Sequence, residues 1–506
     1  MPGPMLEPAF QFSLTTLELL RRKGLITDVE YAAALNDMSD IGQNAAKAPT
    51  VMVGKFATTF YGFVEADFIH DSTRGFIDLA GNSGIASPAN LDQYNNGQTL
   101  FGARNSRLGF RIKSPDFWGF RPSALVEADF LGNQPGNPPL TDTGTTALVN
   151  NGTTTTLLGG TSSGSAGSYK EASFWQNPTF RIRHMLLRLD NDIISMWFGQ
   201  TWELVGFQSA YHPNTVEIQG VPGQIYSRTP QLRLLHDFKF GDVATLEIAV
   251  AALRPPQEDS SIPDLQGGIR LSIDGYKGLQ TAGATGTAMQ PASIAISGAY
   301  RWYSLATGST KSDGNEQQIA GNVIAADIMI PIISPAFDLP IALTFVGETS
   351  FGTGDADIFT SLSGGVGVGS PPGYPAPGSA TYTGAYPQSY QAGIDPGLAG
   401  WNSKHVLETV DWRSVLVGAQ LYLPPDDKIW LSANYSNIYS DNSADFGGTT
   451  EAQEWWWDVN LFADITPAVR LGLEFARFHE NFNSGVPLNA RGANDERVQF
   501  SGFFIF

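Results

Sequence analysis

Apolar and polar residues alternate with a period of two along most of this chain, from about Thr58 onward. In FYGFVEADFI, Phe60, Gly62, Val64, Ala66 and Phe68 alternate with Tyr61, Phe63, Glu65 and Asp67. A strand sends successive side chains to opposite faces, so this spacing predicts a strand with one apolar face. The same device recurs in NSRLGFRIK, where Leu108, Phe110 and Ile112 alternate with Arg107, Arg111 and Lys113, and in ALVEADFLG, TLEIAVAAL, GGIRLSID, EWWWDVNLFADI and VRLGLEFA. The last nine residues, VQFSGFFIF, place Val498, Phe500, Gly502, Phe504 and Phe506 on one parity. About sixteen such segments of roughly nine to eleven residues can be marked along the chain, the length of a tilted membrane-spanning strand.

The connections alternate too. SPDFWG, DND, KFGD, PPDD and TPA are short, while the intervening ones are long and rich in Gly, Ser, Thr and Asn, running over roughly 70–100, 132–172, 202–228, 254–266, 303–317, 352–404, 439–453 and 479–494. Alternation of this kind puts tight turns at one end of a sheet and long loops at the other. One stretch, about 276–291, is long where a tight turn is due. Residues 1–55 read differently. Thr15 with Glu18, and Thr27 with Glu30, are capping pairs, Gly24 is a helix stop, and Leu14, Leu17, Leu20, Leu25, Ile26 and Leu35 form an apolar stripe. This predicts a helical hairpin and linker over 1–55, ahead of a β domain over 56–506.

Composition supports an all-β chain. Its 506 residues include 55 Gly and 31 Phe, and only 16% are charged. There is no Cys, hence no disulfide and no thiolate metal site. A net charge of −19 argues against a nucleic-acid partner, which needs clustered Lys and Arg. No apolar run is long enough for a membrane helix. The N-terminal MPGPMLEPAF lacks a basic and an apolar region, so no signal peptide is expected within the sequence. Two arrangements then bury the apolar strand faces: stacked soluble β domains, or one closed barrel whose outside meets lipid. A spanning sheet must close, because unpaired backbone groups in hydrocarbon cost several kcal/mol each. Strand length, loop asymmetry and aromatic clusters at Phe174–Trp175, Trp455–Trp457 and Phe503–Phe506 favour the barrel.

With NSRLGFRI, FVEADF and LVEADF, FRIRHMLLRL followed by MWFGQTW, and a terminal strand ending on Phe506, residues 56–506 resemble a sixteen-stranded outer-membrane porin of a Gram-negative bacterium. LLRRKGLITDVEYAAAL resembles the short periplasmic helical segment preceding the barrel in phosphate-selective and related porins. The resemblance implies a homotrimer in the bacterial outer membrane, bounded by membrane lipids and lipopolysaccharide, with a water-filled lumen that small hydrophilic solutes cross by diffusion. It implies no enzyme activity and no cofactor. The residues agree. The histidines are scattered without metal-ligand spacing, no G-x-S-x-G occurs, and GGVGVG falls in a long loop with no helix after it.

Charges on the inward parity are the candidate solute-contacting groups: Arg107, Arg111, Lys113, Arg181, Arg183, Arg233, Arg270 and Arg470, with Glu65, Asp67, Glu127 and Asp129. Arginine's planar, permanently charged fork suits carboxylates and phosphates. An ion-pair lattice that only stiffens a wet barrel is the competing reading. The resemblance further implies that the third long loop, about 202–228, enters the lumen and sets its width, with Glu203, Tyr211, His212, Glu217, Tyr226 and Arg228 as lining residues. Phosphate-selective channels of the family line their path with lysine, whereas here Lys113 alone takes a secure lumen position. Three functions stay open on this reading: a general diffusion channel, a substrate-selective anion channel built on the arginines, or a structural or adhesive barrel.

Overall fold

A computed structural model describes residues 50–73, 95–132, 148–150, 155–157, 179–217, 220–257, 260–306, 316–362, 398–402, 406–424, 427–446, 451–483 and 491–506. One antiparallel sheet of eighteen strands dominates it. Two of those strands, Gln98–Gly102 and Arg107–Lys113, pair end to end with the same neighbour and make a single stave. A third, Thr50–Val53, is a lead-in folded back on the first stave. Sixteen staves remain, as the alternation predicts. They are β1 (Phe56–Asp71), β2 (Gln98–Gly102 with Arg107–Lys113), β3 (Arg121–Gly132), β4 (Thr179–Asp190), β5 (Ser195–Trp202), β6 (Arg228–Phe240), β7 (Ala244–Leu253), β8 (Asp264–Gln280), β9 (Ala288–Ala306), β10 (Glu316–Ile333), β11 (Ala342–Thr353), β12 (Asp411–Leu423), β13 (Ile429–Tyr439), β14 (Glu451–Thr466), β15 (Val469–Phe482) and β16 (Gly492–Ile505).

Each stave pairs with its neighbours in chain order, and β16 pairs with β1 through Val64↔Phe504, Phe68↔Phe500 and Asp71↔Arg497. The sheet is therefore a closed barrel. Closure leaves no edge of unpaired N–H and C=O groups, which is what hydrocarbon demands. The seam is completed by Phe506, whose N–H donates to the Gly62 carbonyl at 3.0 Å while the Gly62 N–H donates to the Phe506 carbonyl at 3.0 Å.

The two parities separate as the pattern predicts. Val64, Phe68, Val498, Phe500 and Phe504 are exposed on the outside, whereas Glu65, Asp67, Asp71, Arg497, Gln499 and Ser501 are buried facing inward. Aromatic pairs staple neighbouring staves on the outer face, such as Phe60 with Phe110 at 5.2 Å and Phe68 with Phe101 at 4.9 Å between ring centroids. Two members of the expected aromatic clusters point the other way. Trp456 and Phe503 are buried in the lumen, and the Trp456 indole N–H donates to Asp458 Oδ2 at 2.6 Å. Their parity is that of Glu454 and Ser501, and parity overrides position near a strand end. Phe174 and Trp175, like the expected helical hairpin up to residue 49, lie outside the described residues.

The sheet begins slightly before residue 56. Gly54, at φ +64°, turns the chain so that Thr50–Val53 pairs with Phe56–Thr59, alongside the stretch of β1 that β16 does not cover. The anomalous stretch near 276–291 also resolves. β8 and β9 run 17 and 19 residues, so the turn itself is only 281–287. A register shift between Ile273 and Lys277 then bends this long hairpin out of the wall.

Candidate permeation pathway

The third long loop enters the barrel. Leaving β5, it forms a short turn over Val205–Phe207 and a one-turn helix over Gln208–Tyr211, then returns to β6. Its backbone is tied to inward-facing side chains from β8 round to β15. Leu204 N–H donates to Gln266 Oε1 on β8 at 2.8 Å, Gly206 N–H to Ser297 Oγ on β9 at 2.9 Å, and Ile225 N–H to Glu348 Oε1 on β11 at 2.8 Å. Asn434 on β13 donates to the Asn214 carbonyl at 3.3 Å. At the tip, Val216 N–H reaches both Asn460 Oδ1 on β14 and Glu474 Oε2 on β15 at 2.9 Å, and Glu217 N–H reaches the same Glu474 oxygen at 3.2 Å. Staves on so many sides can be reached only from within. Gly472 makes room for the tip, since a Cβ there would lie 2.9 Å from the Val216 side chain. From outside, the sixth long loop locks on through Tyr226 N–H to the Ile358 carbonyl (2.8 Å), Gly223 N–H to the Thr360 carbonyl (3.0 Å) and Thr360 N–H to the Gln224 carbonyl (2.8 Å).

From the short-turn end, the β8–β9 hairpin folds into the same lumen. Thr344 Oγ1 donates to the Leu279 carbonyl at 2.6 Å, Thr281 N–H donates to Gln420 Oε1 at 2.9 Å, and Gln420 Nε2 answers to the Thr281 carbonyl at 2.9 Å. Arg470 on β15 donates to the Gly283 carbonyl at 3.1 Å. Ala284 at the hairpin tip joins Val216 of the loop in one apolar cluster with Tyr422, Trp430 and Phe462. Loop and hairpin thus meet inside the barrel, and a cavity of about 360 Å³ between them is lined by Ala210, Asp237, Arg270, Asp274 and Gln280 among others. The sequence reading flagged the length of this segment without foreseeing its direction.

The tethers of both inserts run to β8–β15. Facing them, β2–β6 gather four of the predicted arginines around two of the predicted acids. Arg183 donates to Glu127 Oε1 at 2.7 Å and to Asp129 Oδ2 at 3.2 Å. Arg181 Nε donates to Asp129 Oδ1 at 3.0 Å, and Arg107 sits 3.6 Å from Glu127. Arg228, at the start of β6, lies over the Trp202 ring at 4.5 Å and the Tyr226 ring at 5.3 Å. Tyr61 OH donates to Glu127 Oε2 at 2.8 Å. Two loop residues face this cluster. Burial alone pushes the Tyr226 phenol up, but Arg183, Arg228 and Arg107 outweigh it and bring the group below its ordinary value. Burial first, then Arg183, Arg107 and Arg228, push the His212 imidazole down to about 4, against the pull of the Pro213 carbonyl it donates to.

The remaining predicted residues do not join this cluster. Arg111 and Lys113 lie on the same face of β2 nearer the short-turn end, both exposed, with Arg111 over the Tyr61 ring at 4.3 Å. Arg233 donates to Gln231 Oε1 at 2.9 Å and to the Trp202 carbonyl at 2.6 Å. Arg270 is taken by Glu247 at 2.6 Å and Arg470 by Asp464 at 2.6 Å. Glu65 and Asp67 are buried on β1, where Asp67 accepts from Ser501 at 2.5 Å and Gln499 at 3.2 Å. In the loop, Glu203 accepts from Thr229 and Gln266 at 2.6 Å each, Tyr211 OH donates to Ser293 at 3.0 Å, and Glu217 is buried at the tip. Sequence reasoning missed Arg301 and Arg497, both buried inward. Arg301 meets Asp264 at 3.0 Å and Glu203 at 3.7 Å, and Arg497 meets Asp71 at 2.7 Å. Each stands on the inward parity of its strand, so the signal was present.

No family model matches the chain, and no curated protein matches it. Among solved structures, the barrel is similar to the outer membrane channel DcaP of Acinetobacter baumannii, at 16% identity and a TM-score of 0.58 over 91% of this chain and 100% of that one. More distant barrels include OmpT of Vibrio cholerae (8% identity, TM-score 0.45, 90% and 100% covered) and the anion-selective porin of Comamonas acidovorans (10%, 0.44, 89% and 100%). The fold of this chain is the sixteen-stranded barrel of outer-membrane porins.

Proposed function

We propose that the protein is an outer-membrane porin, a channel through which small hydrophilic solutes and ions diffuse, with the third long loop as its constriction. The observation that carries this is the combination of a closed apolar-outside barrel with a charged lumen crossed by a wall-tethered loop. Small residues on the outer faces of the first and last staves, Ala66 and Gly502, permit close packing of copies and support a homotrimer surrounded by lipid and lipopolysaccharide, whereas Gly62 on the same parity is covered by Phe506. The segment before Thr50 lies on the periplasmic side in this reading.

The arginines favour a second, finer reading, an anion-selective channel. Four guanidiniums stand around two carboxylates, and a fork of that kind pairs with carboxylate and phosphate groups. Replacing Arg107, Arg111, Arg181 and Arg183 by neutral residues should move the reversal potential in planar bilayers toward cations. Unchanged reversal potentials would remove the arginines from the selectivity mechanism. Absence of any conductance from folded wild-type protein would remove the channel itself.

A further inference from the structure

At the long-loop end of the barrel, away from the arginines, three carboxylates converge. Glu451 and Glu454 on β14 and Glu480 on β15 each offer an oxygen, and these oxygens lie within 4.8 Å of one another. Residues three apart on a regular strand face opposite ways. Here the register shifts between Glu451 and Gln453, and the extra residue turns Glu451 onto the inward face beside Glu454, whose partner across the ladder is Glu480. The consequence is severe for Glu451. It is 1% exposed, and no donor reaches either of its carboxylate oxygens except a protonated Glu454. A buried carboxylate in that condition must find a cation or a proton.

We infer that the three glutamates hold a divalent cation, and that the cation is calcium. All the donors are hard carboxylate oxygens, with no nitrogen or sulfur that would favour zinc or copper. Three side chains from two staves make a loose, anionic cage of the kind calcium accepts, whereas magnesium demands a tight octahedron and keeps its waters. The site also has a structural reach. Ser361, in the sixth long loop, donates to Glu454, and the adjoining Thr360 is paired with Gly223 and Gln224 of the constriction loop. An ion seated on the glutamates therefore fixes the outer support of the constriction. This holds whichever solute passes through the channel.

The test uses the full chain refolded in detergent from inclusion bodies, free of lipopolysaccharide and stripped with EDTA. Calcium chloride is titrated in by calorimetry at neutral pH. One calcium per chain should bind, with a dissociation constant of about 10⁻³ M or tighter, the range of extracellular modules. Glu451→Gln and Glu480→Gln, which keep shape and remove charge, should each weaken binding at least about tenfold, since each removes a charged ligand. Calcium should raise the melting temperature of the wild type more than that of either variant. Wild-type barrel that is folded yet takes up no calcium would overturn the inference and leave the carboxyl groups sharing protons. So would variants that bind as tightly as the wild type. If the variants do not fold, the wild-type titration decides alone.

Discussion

The tip of the third long loop is held chiefly by one oxygen, with a second in support. Val216 and Glu217 both donate to Glu474 Oε2, at 2.9 and 3.2 Å, while Glu474 Oε1 has no hydrogen-bond partner. Glutamine fits this arrangement, its carbonyl taking the place of Oε2 and its amide that of Oε1. Glu474→Gln therefore removes the charge and keeps the tether, whereas Glu474→Ala removes both. Hydrogen bonds to a charged acceptor contribute about 1.5–3 kcal/mol each. Asn460 still accepts from Val216 in the alanine variant, so the loss is nearer one and a half bonds, about 3 kcal/mol. That corresponds to roughly a hundredfold rise in the population with the tip off the wall. Single-channel recordings in planar bilayers should then show added substates and noise for Glu474→Ala, with Glu474→Gln close to wild type. Alanine and wild-type traces with the same conductance and the same noise would refute the tether. Equal disturbance in both variants would transfer the effect from the tether to the charge.

Two further outcomes follow from the inserts. Replacing residues 282–286 by a two-residue turn removes the Gly283 carbonyl from Arg470 and Ala284 from its apolar cluster, so conductance should rise above that of the wild type; an unchanged value would show that the hairpin does not limit flow. Burial and the facing arginines push the His212 imidazole down to about 4 in place, against about 6.5 when free. A base with a depressed value favours the seated loop fully above the free value, and that contribution is lost as pH falls toward the seated one. Loop-dependent conductance should therefore change between about pH 6.5 and pH 4, and His212→Asn should abolish the change.

Most of the barrel was legible because its signal is local and repeated. Parity in FVEADF or VRLGLEFA assigns each side chain to lipid or lumen without reference to any other strand, and the exposures of Val64, Phe68, Phe500 and Phe504 follow it. What the sequence withheld depends on contacts between distant segments. TAGATGTA near residue 284 carries no pattern that says inward; only Gln420, Tyr422 and Arg470 on other staves decide it. The arginines divide for the same reason. Arg183 and Arg270 share a parity and a residue type, yet one joins a cluster and the other a single glutamate on the next stave. Glu451 was hidden by its own strand, because counting by twos puts it on the wrong face until the bulge is known.

The tethers of the third long loop also set an order of assembly. Val216 waits for Asn460 and Glu474, 244 and 258 residues further along, and Gly283 waits for Arg470, 187 residues on. Contacts so remote in sequence form late. The loop's base can be seated early on Gln266 and Ser297, but its tip is seated only after the last third of the chain is in place, and a barrel stalled before that point would carry a loop fastened at one end alone.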